Sequence, residues 1–324
     1  MYMLKYILKR LGLMIVTFLI IIIICFVLIK LLPIVVDVSL GDSKNIIEAQ
    51  LRARGYYDPI PTQFANYIKR IILHGDFGIG VNIPEYRNKP VWDSFVKCLP
   101  PTILINVYSS LIAIPVGIGL GIFAALKKNK WQDHFISTAV MFFISVPSFI
   151  YAFLVQYILC YKLRLFDSTV SSLKDAGGSY FTWKMFKSMI PAVITMSFGS
   201  IAGYARYTRA ELTEVLTSEY MLLARTKGLT KGQATVRHAL RNAMVPIFPS
   251  IVGEFVAVLS GSLVIEKIFA IPGVGGLYLS AINTQDYDFF MLLSGFYVLV
   301  GLLSAIVIDI SYGFIDPRIK MGAR

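Results

Sequence analysis

Six stretches of this chain are apolar over lengths close to the thickness of a bilayer, and that pattern restricts the fold more than any other feature. They cover residues 11–29, 103–126, 135–161, 189–204, 245–265 and 289–314, and a helix needs about 20 such residues to cross a hydrocarbon layer roughly 30 Å thick. With 56% hydrophobic and only 15% charged residues, the chain lacks the polar groups to cover that surface in water. The expectation is an all-α membrane protein with six transmembrane helices. A large external loop follows the first helix, and a polar loop on the cytoplasmic side joins the fourth to the fifth.

The first apolar run follows Lys5, Lys9 and Arg10, the charge order of a secretory signal. It is too long for a signal core, and Lys30-Leu31-Leu32-Pro33 stands where small cleavage-site residues would be. It therefore reads as an uncleaved first span with its N-terminus in the cytoplasm. Alternation then places Lys127, Lys128 and Lys130 inside, followed by Arg206, Arg209, Arg225, Lys227, Lys231, Arg237 and Arg241, and finally Arg318, Lys320 and Arg324. Basic residues concentrate on the cytoplasmic side, as that orientation requires. The loop between spans three and four runs against the trend, with Lys162, Arg164, Lys174, Lys184 and Lys187 on the outer side. Four segments result: residues 1–32 with the first helix, 33–101 as external loop, 102–318 with the other five helices, and 319–324 as a cytoplasmic tail.

Topology accounts for the formal charge of +12 better than nucleic acid does, since no zinc-finger spacing or RNA-binding aromatic motif accompanies it. Cys25, Cys98 and Cys160 are too scattered for a disulfide framework or a metal knuckle. No Gly-x-x-x-x-Gly-Lys-Ser/Thr loop occurs, so P-loop nucleotide binding is not expected of this chain. His74, His134 and His238 stand apart from one another and from paired carboxylates, leaving neither a metal set nor a nucleophile with its base. No catalytic residue, metal or cofactor is assigned to the chain.

The polar stretch from about residue 206 to 244 lies between two apolar segments. Ser218, Glu219 in the first turn, Lys227 in the last and Gly228 at the exit frame one short helix. Thr230, three residues before Gln233, opens a second with a capping-box pattern that runs through Arg237, His238 and Arg241 toward Asn242 and Pro246. Two short helices hinged at Gly228 are expected. By pattern alone, a plain connector and a docking element are equally consistent.

The residues themselves go further. Ala224-Arg225-Thr226-Lys227-Gly228-Leu229, then Arg237-His238-Ala239-Leu240-Arg241-Asn242-Ala243 and Pro246, resemble the cytoplasmic coupling loop of the peptide-importing ABC permeases. The wider superfamily writes Glu-Ala-Ala, three residues, Gly, nine residues, Ile, one residue, Leu-Pro. Counted back from Gly228, that triplet falls on Leu222-Leu223-Ala224, of which Ala224 matches, while His238 and Arg241 replace Ile and Pro. Other segments resemble the same family: Asp58-Pro59-Ile60-Pro61 with the helix over 64–73 and Gly75-Asp76-Phe77-Gly78, Ser145-Val146-Pro147-Ser148-Phe149, Glu266 to Leu277 as an external re-entrant Glu-x-x-Phe-x-x-Pro-Gly-x-Gly turn, and Asp309 to Arg318. The resemblance is to the B-type permease of oligopeptide and dipeptide importers. It implies a heterodimer with a second permease, two ATPase subunits that bind ATP and Mg, an external substrate-binding protein and a short peptide as cargo. Nickel chelates or glutathione are alternative cargoes within the family. The resemblance also implies contact with the ATPase through Glu219, Ala224, Arg225, Lys227, Gly228 and Arg237.

Two carboxylates fall within spans. A charge near the bilayer centre costs about 2.5 to 3.5 kcal/mol on insertion scales, so Glu254 is expected to face a substrate path, to sit in a structural pair or to be a protonated, hydrogen-bonded acid, and not to face lipid. Asp309 lies near the cytoplasmic end, within reach of water or of a basic residue such as Arg206. An ion-coupled secondary transporter would carry inverted repeats and several intramembrane charges, whereas Glu254 is the only deep one. A scaffold or insertase would need no path at all.

Overall fold

The computed structural model describes residues 2–32, 49, 52–53 and 55–315. The basic tail with Arg318, Lys320 and Arg324, the Asp316-Pro317-Arg318 end of the C-terminal motif and the first part of the expected external loop lie outside the described residues. Among the described residues the secondary structure is helical, with two isolated β-bridges near Gly80 and no named strand.

In chain order, α1 is Tyr2–Leu31, α2 Ile60–His74, α3 Val91–Leu126, α4 Trp131–Ser145, α5 Ser148–Val155 and α6 Trp183–Leu216. Then come α7 Glu219–Thr226, α8 Lys231–Ala234, α9 Leu240–Ala257, α10 Leu263–Ile268, α11 Val274–Asn283 and α12 Tyr287–Ile315. Among the described residues, α1, α3, α6 and α12 are each long and apolar enough to cross a membrane, and α4 with the helix Ser148–Lys162 makes a fifth if that bent pair is one span. Two expected spans therefore differ from the hydropathy pattern. The third is bent by 104° at Val146-Pro147, because Pro147 cannot continue the ladder of α4 and instead precedes α5 with φ −56°. Tyr151, just past the bend, packs edge-on against Phe143 and Phe198 and holds the returning arm to α6.

The expected fifth span ends early as well. The helix α9 stops at Ala257, and Gly261 takes a left-handed φ of +64° before Ser262 caps α10, its hydroxyl accepting from the Ile265 amide at 3.4 Å. At the other extreme, α3 starts at Val91 within the stretch assigned to the external loop, and α6 continues through residues 206–216.

The two longest helices, α3 and α6, pack along each other. A side chain on Gly117 would collide with Tyr204 and the Ile201 carbonyl, and one on Gly121 with Thr208 and the Ala205 carbonyl. Residues four apart stack on one helix face, so this pair lets the backbones touch; Gly119, two residues off that face, meets nothing.

At one end of the bundle, α10 and α11 form a hairpin clasped around Glu266. This carboxylate is 2% exposed and accepts from the Thr102 hydroxyl of α3 at 2.9 Å and the Gly276 amide at 3.0 Å, while the Val274 amide donates to the Thr102 oxygen at 2.9 Å. Gly261 and Gly273 press their backbones so close to it that a methyl on either would strike the carboxylate. Gly275 also lies close to the Glu266 carboxylate, so the acid and both glycines of the Glu-x-x-Phe-x-x-Pro-Gly-x-Gly pattern form one contact.

At the same end Asp286 accepts from the Val81 and Asn82 amides at 2.7 and 2.8 Å. Burial pushes its carboxyl above the usual carboxylate range, against the opposing pull of those amides. Asp288 accepts from Arg70 of α2 at 3.2 Å, so the loop before α3 is tied to the start of α12. The helix α2 ends as expected at Gly75, with φ +62° and the Gly75 amide donating to the Ile71 carbonyl.

Cys98 is 2% exposed, with its thiol 3.5 Å from the Tyr86 hydroxyl, and Cys160 is also buried; all three cysteines are free thiols. Cys98 therefore cannot report on sidedness. Ile72 of α2 is 75% exposed and can. In intact cells a membrane-impermeant thiol reagent should modify Ile72→Cys and should reach Thr230→Cys only after permeabilisation. Labelling of position 230 from outside would overturn the orientation expected from the basic loops.

Candidate functional site

The segment after α6 folds largely as its end signals dictate. The exit of α7 is a Schellman turn: Gly228, at φ +89°, donates to the Arg225 carbonyl at 3.0 Å and Leu229 to the Ala224 carbonyl at 3.3 Å. The capping box is complete, with the Gln233 amide donating to the Thr230 hydroxyl oxygen at 3.3 Å and the Thr230 amide to Gln233 Oε1 at 3.1 Å. Two expectations fail. Ser218 precedes α7 without capping it, because its hydroxyl donates backward to the Val215 carbonyl at 2.6 Å and finishes α6 instead. Nor is the second helix a separate short one. It passes from α8 through a wide turn, Thr235–Ala239, directly into α9, and Pro246 lies inside that helix.

The hinged pair has two unlike faces. Beneath it, Met221, Ala224, Ala234, Ala239 and Ala243 pack against Ala125 of α3 and Leu212 of α6. Small residues let the short helices lie close to the ends of the long ones. Facing out are Glu219, Arg225, Lys227, Gly228 and Arg237, together with Leu222 and Leu223 at 65% and 55% exposure. Of the six residues assigned to coupling, five are thus exposed along one turn-rich surface, and Ala224 is the buried one beneath them.

Glu254 belongs to a different site. From α9 it faces α6, where its Oε1 accepts from the Ser200 hydroxyl at 3.1 Å. Ser200, Gly203, Tyr204, Tyr207, Ser250 and Glu254 line a cavity of about 240 Å³ between the two helices. Among the described residues Glu254 has no ion-pair partner, nor is any His, Cys, Asp and Glu group placed to hold a metal ion. Asp309 pairs with Arg10 of α1 at 3.0 Å and not with Arg206, which is exposed.

Sequence reading missed the pair of buried Asp133 with half-buried Arg209. The Arg209 Nη2 donates to Asp133 at 2.8 Å, its Nε donates to the other carboxylate oxygen, and the Asn129 amide adds a bond at 3.0 Å. This fork-to-fork pair joins the start of α4 to the end of α6 that leads into α7. Arg209 looked like one more basic residue of a polar loop, and its partner lies 76 positions away. The one local hint was Asp133 just after the Lys127-Lys128-Asn129-Lys130 turn.

A bundle of apolar spans with a hinged, partly apolar helix pair exposed at one end defines a helical membrane permease. Residues 117–321 match the family of the binding-protein-dependent transport system inner membrane component, and the chain belongs to that family. It is 34% identical to the dipeptide transport system permease protein DppB of Bacillus subtilis, over 98% of this chain and 99% of the relative. It is 32% identical to the oligopeptide transport system permease protein OppB of Salmonella typhimurium, over 98% and 100%. It is 30% identical to the glutathione transport system permease protein GsiC of the same organism, over 98% and 99%.

The packing under α7 makes a prediction. Enlarging Ala224 to Leu overfills the seam with Ala125 and Ala234, at a cost of about 1 to 3 kcal/mol. In inverted membrane vesicles Ala224→Leu should speed tryptic cleavage after Arg225 and Lys227 several-fold, whereas the exposed Leu222→Ala should not. Equal cleavage of Ala224→Leu and wild type would contradict the packed seam.

Proposed function

We propose that the chain forms half of the translocation path of an ABC importer for short peptides and transmits the stroke of partner ATPases through residues 217–244. The observation that carries this reading is the hinged pair itself: a rigid, two-faced element seated on the ends of α3, α6 and α9, presenting leucines and basic side chains outward. Leu222 and Leu223 beside Arg225 give the outer face of the pair a mixed apolar and basic character that suits a protein partner.

The arrangement supports a cytoplasmic N- and C-terminus, six crossings and a multi-pass place in the cell membrane. Arg10 and Asp309 meet, so the first turns of α1 and the last turns of α12 share one face. An even number of crossings follows if the bent pair and α9 each count as one. A second permease completes the path, and an external binding protein delivers the substrate. Two ATPases hold ATP and Mg, close on them, and push both coupling segments. The path then turns from inward-facing to outward-facing. This chain supplies no hydrolytic residue. Relatives named for dipeptide and oligopeptide transport favour peptide cargo, and glutathione, itself a tripeptide, fits the same reading.

Gly228 tests the transmission role. Its left-handed backbone penalises a β-branched residue by roughly 1 kcal/mol or more, and a Cβ there meets no neighbouring atom, so a substitution acts through the turn and not through a clash. Gly228→Val should leave the permease inserted and bound to its partner subunits. It should abolish peptide uptake by the reconstituted complex and stimulation of ATP hydrolysis by the binding protein, while Gly228→Asn keeps much of both. Wild-type uptake and stimulation in Gly228→Val, with the ATPases bound normally, would sink the assignment.

A further inference from the structure

The cavity between α6 and α9 is open and largely apolar in its exposed walls, with Glu254 the charged group among its lining residues. Tyr204 donates its hydroxyl hydrogen to the Ser250 carbonyl at 3.3 Å, and Tyr207 donates to the Pro246 carbonyl at 3.2 Å. Ser200 donates to Glu254. With those hydrogens committed, the phenols offer lone pairs and ring faces. Glu254 adds a carboxylate with an oxygen to spare, and the Ser250 hydroxyl can accept as well as donate. No Lys, Arg or His lines the space. Gly203 widens it, since nothing stands within 4 Å of where its Cβ would be. Such a wall repels anions and suits a compact cation with several N–H donors.

Resting on the peptide-importer reading above, we propose that the Glu254 cavity is the subsite that receives the α-ammonium group of a peptide in the path. Every unblocked peptide carries that group whatever its side chains, so a site for it serves many sequences. The ammonium places one N–H on Glu254 and others on Ser250 and the Tyr204 oxygen. About 240 Å³ accommodates the terminus and the atoms next to it, while the rest of the peptide extends toward the open side of the cavity. That open side meets the second permease or water in the path, because a carboxylate facing lipid would be strongly disfavoured.

The test compares trialanine with N-acetyl-trialanine, each saturating the binding protein, in proteoliposomes holding the full transporter. Acetylation removes the charge and leaves the chain otherwise the same. Glu254→Gln should slow trialanine uptake roughly tenfold or more, the size expected for a lost charge-assisted hydrogen bond. It should leave N-acetyl-trialanine uptake near its wild-type rate, which also shows that the variant complex is assembled. Equal loss for both peptides, or no loss for either, overturns the subsite while leaving the peptide reading standing. Uptake of neither peptide by the wild-type complex overturns both.

Discussion

The close approach of α3 and α6 at Gly117 and Gly121 is the contact on which the other placements depend. In a bilayer, helices gain little from burying apolar surface, so association rests on close packing and on hydrogen bonds between them. Removing two side chains brings the α3 backbone against the Ile201 and Ala205 carbonyls of α6. Ser109 and Ser197 lock the same seam farther along, the Ser197 hydroxyl lying 3.3 Å from the Ser109 carbonyl. With the seam fixed, the ends of α3 and α6 lie side by side at Ala125 and Leu212, and α7 has its platform. The Gly117 contact also falls on Tyr204, whose hydroxyl reaches α9 and frames the Glu254 cavity. One seam thus positions both the hinged helix pair and the Glu254 cavity.

The two ends of the bundle are stabilised in different ways. Around Glu266, Asp286 and Asp288, buried carboxylates accept hydrogen bonds from backbone amides, the Thr102 hydroxyl and Arg70. Removing one partner of such a set strands a buried charge, which costs far more than the bond is worth. That end is therefore built to hold one shape. At the end bearing α7, the buried contacts are mostly alanines with Leu212 and Met221, and Asp133 with Arg209 adds a forked polar tie. The alanines of that seam, with Leu212 and Met221, hold α7 against the helix ends by close packing alone.

What could be read from the sequence was local in origin. Gly228 with its left-handed turn, the Thr230 and Gln233 box, and the Gly75 helix end each depend on residues within one turn. The helical membrane class followed from run lengths alone. The sharp bend at Pro147 was legible as a proline but not as a reversal of direction, since its angle is set by Tyr151 meeting Phe143 and Phe198. The end of α9 was hidden because Val256 to Leu259 keep the apolar run going past the helix, and only Ser260-Gly261-Ser262 mark the stop. Ala224 was assigned to coupling on the strength of a motif, and no local signal announced that it packs in the seam with Ala125 and Ala234. The pairs of Arg209 with Asp133 and of Arg10 with Asp309 join residues far apart in the chain, and no local pattern announces them.

The central claim is that α7 moves as one body with the ends of α3 and α6 when the transporter turns over. Spin labels at Thr226→Cys and Lys128→Cys, with the native cysteines replaced, allow the distance between them to be measured by pulsed electron resonance in the assembled transporter. A second label pair links Thr226→Cys to the matching position of the other permease. The account predicts that adding ATP leaves the distance within this chain unchanged and shortens the distance between the two permeases. A shift of several ångströms within the chain, with the distance between permeases constant, would contradict it.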